Sequence, residues 1–264
     1  VDWSVEQFGL GTTDRLSSHA PWHFDLSILD LFSAAAAGAA VVPVPGRISW
    51  FPDELARFAA RQRITVWYSV PSAVDVLARG VALPGHAVPA LRLVLFAGEV
   101  FAPQRLRAAM EALPGVRFAN LYGPTETNVC AWHEVLAPPA DDTPVPIGRA
   151  IANTQLWAER VDGTVVGPGE VGELVVRGAT VMRGYWADPE RTARSLTPNP
   201  RGGLPGDLVY RTGDLVRRDE HGVFTFLGRR DSQVKRQGHR IELGDVEAAL
   251  ARHTAVEGVA VIAV

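Results

Sequence analysis

Val116-Arg117-Phe118-Ala119-Asn120-Leu121-Tyr122-Gly123-Pro124-Thr125-Glu126 runs from an apolar strand directly into a turn that carries reactive side chains. Val116–Leu121 has the composition of a buried strand, and Gly123-Pro124 forces the chain to turn at its end. In a sheet of parallel strands, ligands gather beyond the carboxyl ends of the strands. The turn presents a hydroxyl, Thr125, beside a carboxylate, Glu126. A hydroxyl can donate to a phosphate oxygen, and a carboxylate can hold Mg²⁺ that bridges phosphates. Taken alone, the same four residues would equally suit an ordinary strand-end turn with a capping threonine.

Upstream, strands alternate with helices. Leu91–Ala97 is an apolar strand that stops at Gly98, Ile64–Val70 is β-branched and aromatic, and Ala39–Pro43 is a short apolar strand. Leu29–Gly38, Asp53–Gln62, Ser72–Arg79 and Pro103–Leu113 read as helices. Pro opens the last, and Asp53 and Glu54 suit the first turn of the second. This alternation predicts an α/β region with a mostly parallel sheet covered by helices. Downstream, a polar, proline-rich stretch at Pro138–Pro146 marks a change. From Gln155 to Phe226, short strands are broken by Asp162-Gly163, Gly167-Pro168, Gly202-Gly203 and His221-Gly222, with no long helix. That pattern predicts a small antiparallel, barrel-like subdomain. After Arg230-Asp231 it changes again: Gly244–His253 is expected to be a helix and Val259–Val264 a strand, the start of a mobile α+β subdomain. The expected divisions are 1–143, 144–230 and 231–264.

Composition narrows the function classes. The 264 residues carry a net charge of −3, with scattered basic residues, which leaves no stripe for nucleic acid or anionic lipid. One cysteine, Cys130, rules out an intrachain disulfide and a cysteine-rich metal site, and suits a reducing cytoplasmic setting. No apolar run approaches the roughly 20 residues of a membrane helix. Val1-Asp2-Trp3 reads like the middle of a longer chain, and the last strand is expected to stop short.

Three further segments add to the turn. Tyr210-Arg211-Thr212-Gly213-Asp214-Leu215 places a carboxylate just past a tight glycine turn, where it can accept from vicinal ribose hydroxyls. By itself a solvated hairpin aspartate is the better reading. Phe226-Leu227-Gly228-Arg229-Arg230-Asp231 ends the antiparallel region. The planar donor fork of Arg229 suits phosphate or ribose, and Asp231 sits where an interdomain hinge or a charged linker would lie. Gly172–Gly178, followed by Arg183-Gly184-Tyr185, is read as structural: a strand, a turn and a second strand.

In this order and spacing, the segments resemble the core motifs of the adenylate-forming superfamily, in particular the adenylation domains of nonribosomal peptide synthetases. The resemblance extends from His23-Phe24-Asp25 to Glu242. It implies ATP-dependent activation of an amino acid as its aminoacyl-AMP, with Mg²⁺, and transfer to the phosphopantetheine thiol of a peptidyl carrier protein. It implies that Tyr122 packs near adenine, Thr125 contacts phosphate, Glu126 serves the metal, Asp214 binds the ribose hydroxyls and Arg229 approaches the ribose. Gly98 lets the nucleotide come close, Phe226 stacks on adenine where relatives often carry tyrosine, and Asp231 is the hinge. Asp25 would hold the substrate α-ammonium; capping the helix that starts near Ile28 is its other reading, with Ser27 competing for that task. The implied pocket is Leu26, Leu29, Tyr68, Leu95, Ala97, Leu121, Val129 and Cys130, which carries no charge and favours a small apolar side chain. This set resembles free-standing L-prolyl-AMP ligases, so L-proline is the expected substrate. Cys130 is then a wall residue, because no activating base neighbours it.

Two parts of the pattern have no counterpart in the 264 residues: the lysine-containing phosphate loop, expected before Val1, and the catalytic lysine, expected beyond Val264. The isolated piece is therefore expected to adenylate little. Two competing readings are an acyl-CoA ligase of the same superfamily, which would leave Asp25 unpaired, and a non-catalytic nucleotide-binding or interaction module.

Overall fold

The computed structural model describes residues 1–203, 206–230, 233–236, 239–253, 256 and 259–262. The first element is α1 (Asp2–Phe8), followed by β1 (Arg15–Ser18). A π-helical turn, Leu29–Ser33, leads into α2 (Ala34–Ala37), which Gly38 ends in the left-handed conformation. Then come β2 (Ala40–Pro43), α3 (Pro52–Arg61), β3 (Val66–Ser69), α4 (Pro71–Val81), β4 (Leu93–Phe96), α5 (Pro103–Ala112) and β5 (Arg117–Tyr122). Helices α3, α4 and α5 each begin with proline in the first turn, where its missing N–H would have had no partner. Strands β6 (Ala131–Val135) and β7 (Arg149–Ala150) complete one seven-stranded sheet of order β2-β1-β3-β4-β5-β6-β7. Its first five strands are parallel; β6 and β7 return antiparallel.

Strand composition explains why this sheet is covered on both faces. Trp67, Val94, Phe96 and Phe118 point to one side and pack with Leu55, Val74, Leu77 and Leu106 of α3, α4 and α5. Tyr68, Leu95, Ala119 and Leu121 point to the other and pack with Phe8 of α1 and with Leu26 and Leu29. Each buried valine, leucine or phenylalanine among them contributes roughly 1.5–3 kcal/mol by leaving water. The chain goes from β1 outward to β2 and then back across to β3, so the strand order reverses beside β1. The loop after β1 and the ends of β3 and β4 meet at that reversal, where a parallel sheet leaves a crevice.

The second sheet is antiparallel: β8 (Thr154–Glu159), β9 (Val171–Gly178), β10 (Leu196–Pro198), β11 (Leu208–Arg218) and β12 (Phe224–Arg229), ordered β10-β11-β9-β8 with β12 on β11. A short helix, α6 (Pro189–Ser195), interrupts the region and is capped by Asp188, which accepts from the Arg191 amide at 2.9 Å. The two sheets meet along a shared apolar cluster of Tyr122, Ala131, Ile147, Leu174, Val216 and Phe224. Main-chain bonds from Ile147 and Gly148 to the Phe224 carbonyl (2.9 and 3.1 Å) fasten the seam.

Beyond it, β13 (Gln233–Arg236) pairs antiparallel with β14 (His239–Glu242), and α7 (Leu243–Ala251) follows. Of the strand expected at Val259–Val264, the described residues 259–262 carry no strand assignment. Residues 263–264 lie outside the described residues. Arg183-Gly184-Tyr185 also departs from expectation. Tyr185 makes only an isolated bridge to Asp188 instead of a second strand. No helix among the described residues is long and apolar enough to cross a membrane.

Candidate functional site

The turn after β5 is built around close backbone contact. A Cβ on Gly123 would lie 1.7 Å from the Asn128 carbonyl oxygen, so only glycine fits. Asn128 takes the left-handed conformation (φ 52°), tolerated because its own Oδ1 accepts from the Val129 amide at 2.7 Å. The turn leaves Thr125 exposed at its crest and buries Glu126 and Thr127. The Glu126 carboxylate accepts from the Tyr185 hydroxyl at 2.7 Å. Gly98, two residues past the end of β4 and the paired Phe96–Asn120, has φ 89°; Tyr122 stands two residues past Asn120 on the adjacent strand.

Across the seam, Asp214 and Arg229 stand opposite each other on β11 and β12, in register. Arg229 Nη1 donates to Asp214 Oδ1 at 2.6 Å and to the Thr212 carbonyl at 3.0 Å. The Tyr122 hydroxyl, from the first sheet, donates to Asp214 Oδ2. Burial, reinforced by the Asp214 charge, pushes the Tyr122 phenol well above its ordinary value and keeps it a neutral donor. Asp214 is itself held in place: Thr212 Oγ1 accepts from its amide at 3.0 Å and donates to the Leu174 carbonyl at 2.8 Å. A carboxylate has about four lone-pair sites, so both Asp214 oxygens retain acceptor capacity for further hydroxyls. Phe226, three residues before Arg229, is partly buried against the cluster that contains Tyr122.

The pocket residues divide. Leu26, Leu29, Tyr68, Leu95, Ala97 and Leu121 belong to one buried cluster, with Phe24 and Val129 packed at its margin. Cys130 is fully buried but packs in the inter-sheet cluster. Asp25 is half-buried in the loop after β1. Its main-chain carbonyl lies 3.5 Å from Asn128 Nδ2, which ties that loop to the Thr125–Glu126 turn. Among the described residues, no group pairs with its carboxylate. The capping role is not taken, because the π-helical turn has no side-chain cap and Ser27 donates to the Trp22 carbonyl at 3.2 Å.

Asp231 lies outside the described residues. The structure also adds groups that sequence reasoning missed. Asp30, inside the π-helical turn, is fully buried with neither oxygen hydrogen-bonded among the described residues, and burial raises it well above its ordinary value. The Tyr68 phenol is pushed up by its own burial and then by the Asp30 and Asp25 charges. His19 Nε2 is buried with no hydrogen-bond partner among the described residues, and burial lowers the His19 pKa to about 4. Tyr185 and Thr212 are the other two. Both stand in segments already singled out, yet their partners lie 59 and 38 residues away, and local sequence carries no signal for that.

A parallel sheet that delivers a hydroxyl and a carboxylate to the edge of an antiparallel sheet bearing Asp214 and Arg229 is the arrangement of an adenylate-binding enzyme. The chain belongs to the AMP-binding enzyme family, whose model matches residues 1–186. It is similar to two proteins described as L-proline–[L-prolyl-carrier protein] ligase. The one from Pseudomonas fluorescens is 43% identical over 100% of this chain and 50% of its own length. The one from Streptomyces coelicolor is 44% identical over 99% of this chain and 48% of its own length. Among solved structures, it resembles the Vibrio cholerae adenylation domain AlmE in complex with glycyl-adenosine-5'-phosphate (TM-score 0.86, 32% identity, 97% of this chain and 48% of that one). The chain thus spans about half the length of the relatives it matches.

Proposed function

We propose that this chain forms the nucleotide and amino-acid sites of an ATP-dependent ligase that activates L-proline as prolyl-AMP and passes it to the phosphopantetheine thiol of a carrier protein. The observation that carries the proposal is the meeting of Tyr122, Asp214 and Arg229 across the seam, beside the Thr125–Glu126 turn. Three segments far apart in sequence meet there, and the buried apolar cluster that contains Leu26, Tyr68 and Leu121 packs on a face of the first sheet. In this reading Asp214 accepts from the ribose hydroxyls and Arg229 holds Asp214 and the ribose. Tyr122 and Phe226 flank the adenine, Gly98 gives the base room, and Thr125 donates to phosphate. Asp25 neutralises the α-ammonium, and the apolar wall rejects charged side chains, whose partners would be missing. The resemblance of the pocket to that of prolyl ligases supports proline in particular.

Mg²⁺ fits the donor set. Glu126 is a buried carboxylate at the phosphate turn, and Mg²⁺ usually takes one or two protein carboxylates with substrate phosphates and water. The absence of a group of three or more acidic, histidine or cysteine ligands among the described residues is compatible with that mode. When bound, the metal would offset charge on the phosphates; orienting and anchoring fall to the protein groups named above. We further propose Asp231 as the hinge about which residues 231–264 turn, after an α/β part (1–143) and a β-rich part (144–230).

The test is ATP–pyrophosphate exchange by the product of the complete open reading frame that encodes this chain, across a panel of amino acids and simple carboxylic acids. Proline-dependent exchange that an Asp25→Ala variant loses is the expected result. Preference for another amino acid removes proline, and equal rates with acids lacking an amine remove the role of Asp25.

A further inference from the structure

Glu126 is gripped from outside its own turn. Its main-chain carbonyl accepts from the Met182 amide at 2.7 Å, and its carboxylate accepts from the Tyr185 hydroxyl at 2.7 Å. Both donors lie between β9 and α6, in the antiparallel region. That segment is braced in turn. The Tyr185 amide donates to Thr192 Oγ1 at 2.9 Å, and Thr192 Oγ1 donates to the Asp188 carbonyl at 2.8 Å. The Arg191 guanidinium lies 4.2 Å above the centre of the Tyr185 ring. Gly184, at φ 149°, lets the backbone approach Thr192, where a Cβ would come within 2.9 Å of the threonine methyl. A loop that only covered apolar surface would not need a phenol hydroxyl aimed at a buried carboxylate. Here helix, ring and hydroxyl form a chain of contacts that ends on Glu126 Oε1.

We propose that Tyr185 is a positioning residue for Glu126: its hydroxyl fixes the rotation of that carboxylate, so that a divalent cation with nucleotide phosphates meets it in one orientation. The inference rests on the nucleotide-site reading above. A hydrogen bond from an outer group to a metal-binding carboxylate limits its swing while leaving its charge in place, and losing such a partner typically costs about 10–100-fold in metal affinity. The Arg191 stack keeps the ring plane from tilting, a weaker effect.

The experiment uses the product of the complete open reading frame and reads Mn²⁺ binding in the presence of ATP by electron paramagnetic resonance. The Mg²⁺ dependence of exchange is followed in parallel. Tyr185→Phe is expected to weaken Mn²⁺ binding about tenfold and to move the Mg²⁺ midpoint equally, while the rate at saturating Mg²⁺ changes less. Glu126→Gln should weaken binding further. If Tyr185→Phe binds Mn²⁺ like the parent while Glu126→Gln does not, the positioning role of Tyr185 is wrong and the nucleotide site stands. If neither substitution changes Mn²⁺ binding, the placement of the metal at Glu126 is wrong, and this inference goes with it. Should Tyr185→Phe fail to fold, Arg191→Met decides, because Arg191 is exposed: a shift of about twofold supports the inference, and an unchanged midpoint overturns it.

Discussion

Asp214 shows how one side chain can join two halves of a site. It takes a proton donor from each sheet, Tyr122 from the first and Arg229 from the second, and is itself nearly inaccessible. Hydrogen bonds to a charged acceptor are worth about 1.5–3 kcal/mol, so Asp214→Asn should lower affinity for AMP by about ten- to a hundredfold. Calorimetry on the folded variant checks this, and an unchanged affinity would place the ribose elsewhere. Two other buried groups give opposite pH signatures. The folded state holds His19 near pKa 4, against 6.5 when exposed, so acidification through that window charges the unfolded chain first and stability falls. Asp30 behaves in the reverse sense. Its folded pKa is raised above 3.8, so the folded state keeps the proton longer, and stability is lost as pH rises from about 4. Asp30→Asn removes only this second effect. Its melting temperature should exceed that of the parent at pH 8 by roughly 2–4 °C, and the gain should fade toward pH 4. A gain that does not vary with pH would mean that Asp30 is not the titrating group.

At the scale of elements, the turn after β5 depends on one missing side chain. Gly123→Ala forces a methyl group into the Asn128 carbonyl, so the turn must open. The expected cost is about 1–3 kcal/mol in denaturant unfolding. Gly11→Ala, with nothing within 4 Å of the added carbon, is the near-neutral control. Elements like this one were legible in the sequence because their cause is local. The proline start of α5, the acidic first turn of α3 and the apolar runs of β3, β4 and β5 announce themselves in a few residues, whereas Pro52 and Pro71 open α3 and α4 one residue before the expected starts. What was not legible has its cause at a distance. Strand β1 is only four residues long and gains its identity from β2 and β3 on either side. Strand β6, between β5 and the two-residue β7, is only partly buried and lacks an apolar run. Helix α6 buries no residue, so no apolar stripe marks it; it is set by the Asp188 cap. The site follows the same rule. The Thr125–Glu126 turn, Asp214 and Arg229 could be read from motifs, whereas the grip of Tyr185 on Glu126 and the isolation of Asp30 exist only once the chain has folded.

For the whole molecule, the seam between the sheets decides whether these residues act together. It is held by the apolar cluster around Tyr122, Ile147 and Phe224 and by main-chain bonds at Gly148, while Glu173 fastens the second sheet behind it. Glu173 accepts from the Gly213 amide at 3.0 Å and from Arg230 at 2.9 Å. Asp214 therefore sits between a bond to the first sheet and a strand end anchored within the second. If the nucleotide binds across this seam, removing either side of the Tyr122–Asp214 contact should disable the same arrangement, and removing both should cost less than the sum. A double-mutant cycle of Tyr122→Phe and Asp214→Ala, read in AMP affinity and again in unfolding, should show a coupling of about 0.5–3 kcal/mol in both. Coupling in unfolding alone would make the contact a fastening between sheets, with the nucleotide elsewhere. Strict additivity in both readouts would mean that the two sheets do not share a site, since residues in one hydrogen-bonded network are not energetically independent.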